Sequence, residues 1–449
     1  MALTGLEIFK QLPKKNCKEC GQPTCLAFAM QLAAGKAALD ACPYVSDAAK
    51  EVLDAASAPP IALIKIGGGE KKVLELGNET VLFRHDKRFE HPTGIAVELS
   101  DNLVGDELAA KVAAINKLVF DRVGQVHQVD LIAVKNDSGD ASRFAEVAAY
   151  VNANTQYPLV LIADVPALEK ALPEVASAKP LIYAATADNY EAMVALAKQY
   201  EVPLGVKGEN LNALAELVEK VVALGWKQLV IDSGAREVAQ VLADQTQIRR
   251  LALKKLYRPF GYPTITFAGN DNLNTEVINA GVFVSKYAGI VVMSTSDPAA
   301  ILPIITLRLN IYTDPQKPIA VESKIYEIGK PGPDAPIFIT TNFSLTYFCV
   351  AGDVEASRIP AYIVPVDTDG ISVLTAWAAG KFNPDTIAAT LNDLDVASKV
   401  NHKKVIIPGH VAVLSGATQE KSGWEVLVGP RESSGIPSFL KQRWLSTVG

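Results

Sequence analysis

The chain has 449 residues, enough for two to four domains with full cores, and its 49% hydrophobic and 20% charged residues are those of an ordinary folded protein. A net charge of −6 with no basic block argues against nucleic acid and anionic membrane surfaces as partners. Met1 to Lys10 lack a basic region followed by a long apolar run, and no stretch of about 20 apolar residues is free of charges and turn formers, so neither a signal peptide nor a membrane span is expected.

Four of the five cysteines fall within the 26 residues from Cys17 to Cys42, in the spacing C-x2-C-x4-C-x16-C. Cys17 and Cys20 are three apart, and Gly21 and Pro23 turn the chain directly after them. Cys25 opens a helix-like run from Leu26 to Leu39, and Cys42, followed by Pro43, returns as the fourth thiol. Four thiolates around one centre point to a [4Fe–4S] cluster or a structural zinc. Zinc sites usually pair two C-x2-C units, and here there is one. The Cys-Pro ending and the isolated third cysteine favour the cluster, with a zinc knot and a pair of disulfides as the alternatives. Clustered, uncrosslinked cysteines suit a reducing cytoplasm. Residues 1–57 therefore read as a [4Fe–4S] module, with a short helix at Ser46–Leu53. The run Ala55-Ala-Ser-Ala-Pro-Pro60 has the composition of a linker on which such a module can swing.

From about residue 58 to 325 one pattern repeats: a short β-branched run, then an amphipathic helical run. After a possible hairpin (Ile61–Ile66 with Thr80–Arg84), eight strands are expected, at 94–99, 130–134, 159–162, 181–184, 204–206, 228–231, 264–267 and 289–292. Their nearly continuous apolar character is that of parallel strands covered on both faces. Eight β-then-α units predict a (β/α)8 TIM-like barrel, with a doubly wound open sheet as the alternative. The strand ends carry Glu98, Lys135, Asp164, Thr186, Lys207, Asp232 and Ser294, which serve equally well as loop caps or as an active site.

A second linker, Gly329-Lys-Pro-Gly-Pro-Asp-Ala-Pro336, lies at the start of a smaller domain, residues 326–449, whose strand-then-helix order after the linker reads as Rossmann-like. Strands are expected at 337–340, 361–366, 404–407 and 424–428. Helices are expected at 345–355, 371–379, 385–398 and 438–444. Cys349 is expected in the core behind the first of these strands. Each strand empties into a turn of small polar residues, and all four turns share one sheet edge, where open α/β folds bind ligands. Gly370 and Ser372 are expected to offer free backbone N–H groups there. No turn matches a dinucleotide or P-loop pattern.

The chain resembles, over its full length, the large (gamma) subunit family of the corrinoid iron–sulfur protein of the anaerobic acetyl-CoA (Wood–Ljungdahl) pathway. Two stretches anchor the resemblance. One is Gly5-Leu-Glu-Ile-Phe-Lys-Gln-Leu-Pro13 with Asn16-Cys-Lys-Glu-Cys-Gly-Gln-Pro-Thr-Cys25; the other is Asp367-Thr-Asp-Gly-Ile-Ser-Val-Leu-Thr-Ala-Trp-Ala-Ala-Gly-Lys-Phe382. The resemblance implies a methyl carrier. Its C-terminal domain would hold a base-off corrinoid that faces a small barrel subunit in a heterodimer. Co(I) would take a methyl group from methyltetrahydrofolate on a separate methyltransferase, and methyl-Co(III) would give it to the nickel centre of acetyl-CoA synthase, the partner of CO dehydrogenase. The cluster, fed by a reducing donor such as ferredoxin, would return Co(II) to Co(I). Cobalt is itself the nucleophile, which agrees with the scarcity of acid–base constellations.

On matched positions the resemblance places Thr340, Thr346, Gly370, Ile371, Ser372, Val373 and Ser433 at the corrinoid, with Thr375 on its lower side, and Cys17, Cys20, Cys25 and Cys42 at the cluster. Neither His402 nor His410 lies in a D-x-H-x-x-G sequence, since Val400 and Pro408 stand two residues before them, and His410 is left outside the expected site. The competing functions are a ferredoxin-like electron-transfer subunit with a docking barrel and a barrel enzyme acting directly on a folate.

Overall fold

The computed structural model describes residues 5–33, 37, 39–46, 49–50, 53, 59–122 and 125–445. Of the expected linker at 55–60 only Pro59 and Pro60 fall within it. The expected helix at 46–53 also lies largely outside the described residues, and Ala49, Lys50 and Leu53 within it are helical. The chain divides into two compact units, one of residues 1–119 and 128–312, the other of residues 120–127 and 313–449.

In the first unit the cysteine segment has its own small core. Helices Gly5–Gln11 and Cys25–Ala33 pack through Ile8, Leu12, Phe28 and Ala29, and Cys25, Cys42, Val45 and Leu53 complete the cluster. A two-stranded hairpin follows, β1 (Ile64–Ile66) and β2 (Leu74–Leu76). The second strand lies nearer than the expected Thr80–Arg84, because Gly67 and Gly69 turn the chain at once with positive φ. Next in chain order come β3 (Gly94–Ser100), the hairpin of β4 (Val119–Arg122) and β5 (Gln125–Gln128), and β6 (Leu131–Lys135). Then follow β7 (Leu159–Ile162), β8 (Leu181–Ala185), β9 (Leu204–Lys207), β10 (Leu229–Asp232), β11 (Ile265–Phe267) and β12 (Ile290–Met293).

β3 and β6 to β12 form one parallel sheet in the order β10-β9-β8-β7-β6-β3-β12-β11, and a parallel bridge between Ile231 and Thr264 joins its two ends. Neighbours in the ring are therefore neighbours in sequence, the (β/α)8 order. All eight expected strands are present within one or two residues. Four of the helices between them begin at side-chain caps: Asp140, Asp164, Asn210 and Asn272 each accept backbone N–H bonds from the first turn that follows. Ile64, Ile66 and Leu76 of the hairpin join Ala96, Leu131, Val160, Leu181, Val230 and Ile290 in one core, so β1–β2 plugs the barrel. The hairpin bonds to loops that precede strands, Gly67 N–H to Lys179 O and Ala62 N–H to Gly261 O, which puts the plug at the N-terminal end.

The barrel also buries an ion pair. Arg249 Nη2 lies 2.8 Å from Glu79 Oε2, the guanidinium sits over the rings of Phe89 and Tyr287, and Glu79 Oε1 accepts the N–H groups of Glu90 and His91. Glu79→Ala would leave a buried cation without its partner. It is expected to cost about 3–5 kcal/mol, read as a lowered urea midpoint for the barrel unit.

The second unit contains β13 (Tyr326–Ile328), β14 (Ile337–Thr341), β15 (Ala361–Val366), β16 (Lys404–Ile407) and β17 (Glu425–Val428), in the order β13-β15-β14-β16-β17. β13 is antiparallel and the other four are parallel. The parallel strands thus run 2-1-3-4, with the reversal of direction between β14 and β16. Alternation along each strand serves two cores: Ile337, Ile339, Val364, Val405 and Ile407 face one layer, Phe338, Ile363 and Ile406 the other. Helices Val373–Ala378 and Pro384–Asp393 cover the first face, and Ser344–Ser357 with the C-terminal 436–444 turns cover the second. The edge strand β13 and the helix Ser415–Ser422 were not foreseen. Among the described residues no helix is long and apolar enough to cross a membrane.

Candidate functional site

In a 2-1-3-4 sheet the loops leave strands 1 and 3 in opposite directions, so a crevice opens at their carboxyl ends. It is there that the second unit has a cavity of about 410 Å3. Its floor is Phe338, Ile339 and Thr340 of β14 and Ile406 and Ile407 of β16. One wall is the helix Ser344–Ser357, through Leu345, Thr346, Cys349 and Val350. The opposite side is the loop after β15, through Ser372, Val373 and Leu374. His410 and the stretch Gly429 to Ser433 close the remaining edge.

Five of the expected contact residues therefore line one cavity: Thr340, Thr346, Ser372, Val373 and Ser433. Gly370, Ile371 and Thr375 do not line it. Gly370 is buried, and its N–H, expected to be free, donates to Asn342 Oδ1 at 3.0 Å. Its φ of +71° is the reason for glycine, and a Cβ there would stand 3.0 Å from Pro318 O. Thr375 is exposed and its hydroxyl pairs with that of Ser372 at 3.0 Å.

Asn342 organises this edge. Its Oδ1 accepts from Thr368 N, Thr368 Oγ1 and Gly370 N, and its Nδ2 donates to Asp367 Oδ1 at 2.9 Å. It ties the loop after β15 to the end of β14, a task that a lone Asn after a strand does not announce in sequence. Asn342→Ala orphans two buried amides. It is expected to lower the stability of the second unit by about 2–3 kcal/mol and to speed hydrogen exchange at Thr368 and Gly370.

Cys349, expected in the core, is exposed and lines the cavity, because the helix Ser344–Ser357 turns Tyr347 and Val354 inward and Leu345, Phe348 and Cys349 outward. His410 also lines the cavity, against the expectation; its Nε2 lies 3.4 Å from Glu432 Oε1. It follows Gly409, whose Cβ would meet Gly429 O at 2.6 Å, so only glycine lets the two loops close side by side. Most of the lining is apolar. Against it, Thr340 and Thr341 are 1% and 0% exposed, and neither Oγ1 has a hydrogen-bond partner among the described residues. A buried hydroxyl without a partner costs free energy unless something else supplies the bond. Of the lining, Leu345 and Leu374 are exposed, and Phe348, Trp377 and Val413, on elements that contribute to the lining, are exposed too.

In the cysteine module all four thiols are free of disulfides. Cys25 and Cys42 are buried in the same apolar core, Cys20 packs against it, and Cys17 is exposed. Among the described residues no three His, Cys, Asp or Glu side chains converge as a finished metal cage. The donor set and the backbone nevertheless suit a cluster. Lys14, Asn16 and Lys18 alternate with their neighbours in left-handed φ, a conformation in which successive N–H groups form concavities for anions and iron–sulfur centres. Asn16 N–H donates to Cys25 Sγ at 3.4 Å, and Cys25 N–H donates to Asn16 Oδ1 at 2.8 Å. Hydrogen bonds to sulfur of this kind tune iron–sulfur centres.

The polar strand ends of the barrel have structural partners. Asp164 caps its helix, Asp232 accepts from Tyr183, Gly234 and Arg236, and Ser294 donates to the buried Glu276. Burial pushes the Glu98 carboxyl up, and Lys135 at 3.7 Å opposes that rise.

A family model described as CO dehydrogenase/acetyl-CoA synthase delta subunit matches residues 63–440, spanning the barrel and the C-terminal sheet. A second, for an Fe-S cluster, matches residues 12–44, which contain all four clustered cysteines. The corrinoid/iron-sulfur protein large subunit of Moorella thermoacetica is 57% identical, over 98% of this chain and 99% of that one. The gamma subunits of the acetyl-CoA decarbonylase/synthase complex are 33% identical in Methanopyrus kandleri, over 99% of both chains, and 34% identical in Methanothermobacter thermautotrophicus, over 98% of this chain and 99% of that one. Relatives at 33–57% identity over 98–99% of its length show that the chain belongs to the family of corrinoid/iron-sulfur protein large subunits and acetyl-CoA decarbonylase/synthase gamma subunits.

Proposed function

We propose that the chain is the methyl-carrier subunit of an acetyl-CoA pathway, with a corrinoid in the C-terminal cavity and a [4Fe–4S] cluster on Cys17, Cys20, Cys25 and Cys42. The observation that carries the reading is an apolar cavity at the switch point of a 2-1-3-4 sheet, with the partnerless hydroxyl of Thr340 at its base, in a chain whose other end gathers four free thiols. When bound, the corrinoid supplies a nucleophilic cobalt that accepts and surrenders a methyl group, and the cluster supplies the electron that restores its reduced state.

The protein's own residues bind, orient and exclude water. Thr340, Thr346, Ser372 and Ser433 offer hydroxyls to the amide arms of a corrinoid. Phe338, Val350, Val373 and Ile406 would give a bound corrinoid an apolar lining that excludes water. The titratable residues of the lining, Cys349, His410, Arg431 and Glu432, are each exposed, so no buried acid or base attends the reaction. The exposed Leu345, Phe348, Leu374 and Trp377, on the two helices beside the cavity, suit coverage by a second protein, which we assign to the small barrel subunit. The methyltransferase and acetyl-CoA synthase would then approach the same mouth in turn.

The test is a single-turnover methyl transfer. The reduced protein, with its small subunit, is mixed with methyl-labelled methyltetrahydrofolate. Label is expected on the protein only after a methyltransferase is added. Transfer without one would make the barrel itself the folate enzyme, and no transfer under either condition would contradict the carrier reading.

A further inference from the structure

One stretch of the cysteine module carries a charge opposite to that of the whole chain, within a module (residues 1–57) whose six lysines and six acids balance. Lys10 to Glu19 contains four lysines (10, 14, 15 and 18) and one acid, a net +3, in a chain of net −6. All four lysines are exposed, and none is paired with a carboxylate among the described residues. Two are held in place: Lys14 Nζ lies 5.7 Å from the centre of the Phe9 ring, and Lys15 Nζ lies 3.9 Å from that of Tyr44. Tyr44 is fixed in turn by a 2.8 Å hydrogen bond from its hydroxyl to Glu19. Lys10 shares a helix face with Leu6, four residues earlier, which is 64% exposed. The lysines bracket Cys17, the one exposed thiol of the four, while Cys25 and Cys42 are buried on the far side of the motif.

A solvated face needs no such arrangement. Lysines on a solvated face are free to spread, whereas these are clustered, two of them are held over rings, and they stand around the most accessible ligand of a redox centre. We infer that the loop Lys14–Lys18, with Lys10, is the docking face for a small acidic electron-transfer protein, and that electrons enter the cluster at its Cys17 edge. The inference rests on the cluster assignment proposed above. One electron leaves the reduced donor and enters the cluster; no bond forms or breaks and no proton moves. A positive rim steers an anionic partner and raises its association rate, and salt weakens the effect.

The test uses the full chain with its cluster loaded, mixed without oxygen with a reduced acidic two-[4Fe–4S] bacterial ferredoxin, and follows cluster reduction at rising ionic strength. The second-order rate constant is expected to fall at least tenfold, on the order of the steering effects known for charged partners, between low and high salt. The Lys14→Gln/Lys15→Gln/Lys18→Gln protein at low salt is expected to react about tenfold more slowly with the ferredoxin. Its reduction by methyl viologen radical cation, which a basic rim repels, is expected to be no slower than that of the unaltered protein. A ferredoxin rate that ignores salt, or that is equal in the two proteins, overturns the inference. The salt series on the unaltered protein decides the question however well the variant assembles. Iron analysis of the same sample separates the two claims, since absent iron defeats the cluster assignment, whereas present iron with a salt-blind rate defeats only the docking face.

Discussion

Cys25→Ser is expected to strip the iron from the purified protein and leave its corrinoid in place. Cys25 begins the helix Cys25–Ala33, its backbone N–H is held by Asn16, and its side chain is buried beside Cys42, Phe28 and Ala29. A serine hydroxyl is a far poorer ligand than a thiolate for an iron–sulfur centre, so one substitution weakens a quarter of the donor set. Placing a hydroxyl in that apolar core also costs about 1–3 kcal/mol. Iron content and the charge-transfer absorption near the visible range read the loss, and cobalt content reads the specificity. Cobalt should stay, because the cavity is built wholly from residues 338–436 of the other unit. Retention of full iron by Cys25→Ser would remove Cys25 from the ligand set.

The converse substitution acts on the cavity. Thr340→Leu is expected to lower bound cobalt at least tenfold while iron stays at its normal level. Thr340 is 1% exposed at the end of β14, so a larger side chain has only the cavity to grow into. Overpacking of this kind costs about 1–3 kcal/mol where the wall resists, and here it costs the ligand its space. Thr340→Val separates shape from hydrogen bonding. It preserves the volume and removes the hydroxyl, and a lost hydrogen bond of about 1 kcal/mol corresponds to a corrinoid held roughly fivefold less tightly. Unchanged cobalt in Thr340→Leu would mean that the corrinoid lies elsewhere.

The barrel was legible because every strand is a short apolar run bounded by turn formers and four of its helix starts carry a bonding Asp or Asn cap. Period and cap agreed at Asp140, Asp164, Asn210 and Asn272, whereas the helices after Val104 and Glu237 were carried by period alone. The β1–β2 plug was half legible. Its second strand, Leu74-Glu-Leu76, is three residues long, which is too short to carry a pattern. β13 was missed for the same reason, and the β4–β5 hairpin, rich in charged and polar residues and largely exposed, offers no apolar run to read. In the site, the turns after the strands pointed to the right sheet edge. They did not show which residues of a turn face the ligand. Gly370 is consumed by Asn342, and His410 and Cys349 enter the cavity through a glycine-permitted loop approach and a helix rotation, which are tertiary facts.

Metal analysis with a visible spectrum, on protein purified without oxygen together with its small subunit, tests the central claim most directly. The result expected is about one cobalt and about four irons per chain, with a corrinoid spectrum that shifts under strong reductant. Four irons without cobalt would contradict the carrier function and leave an electron-transfer subunit, and zinc in place of iron would contradict the redox role of the cysteine module.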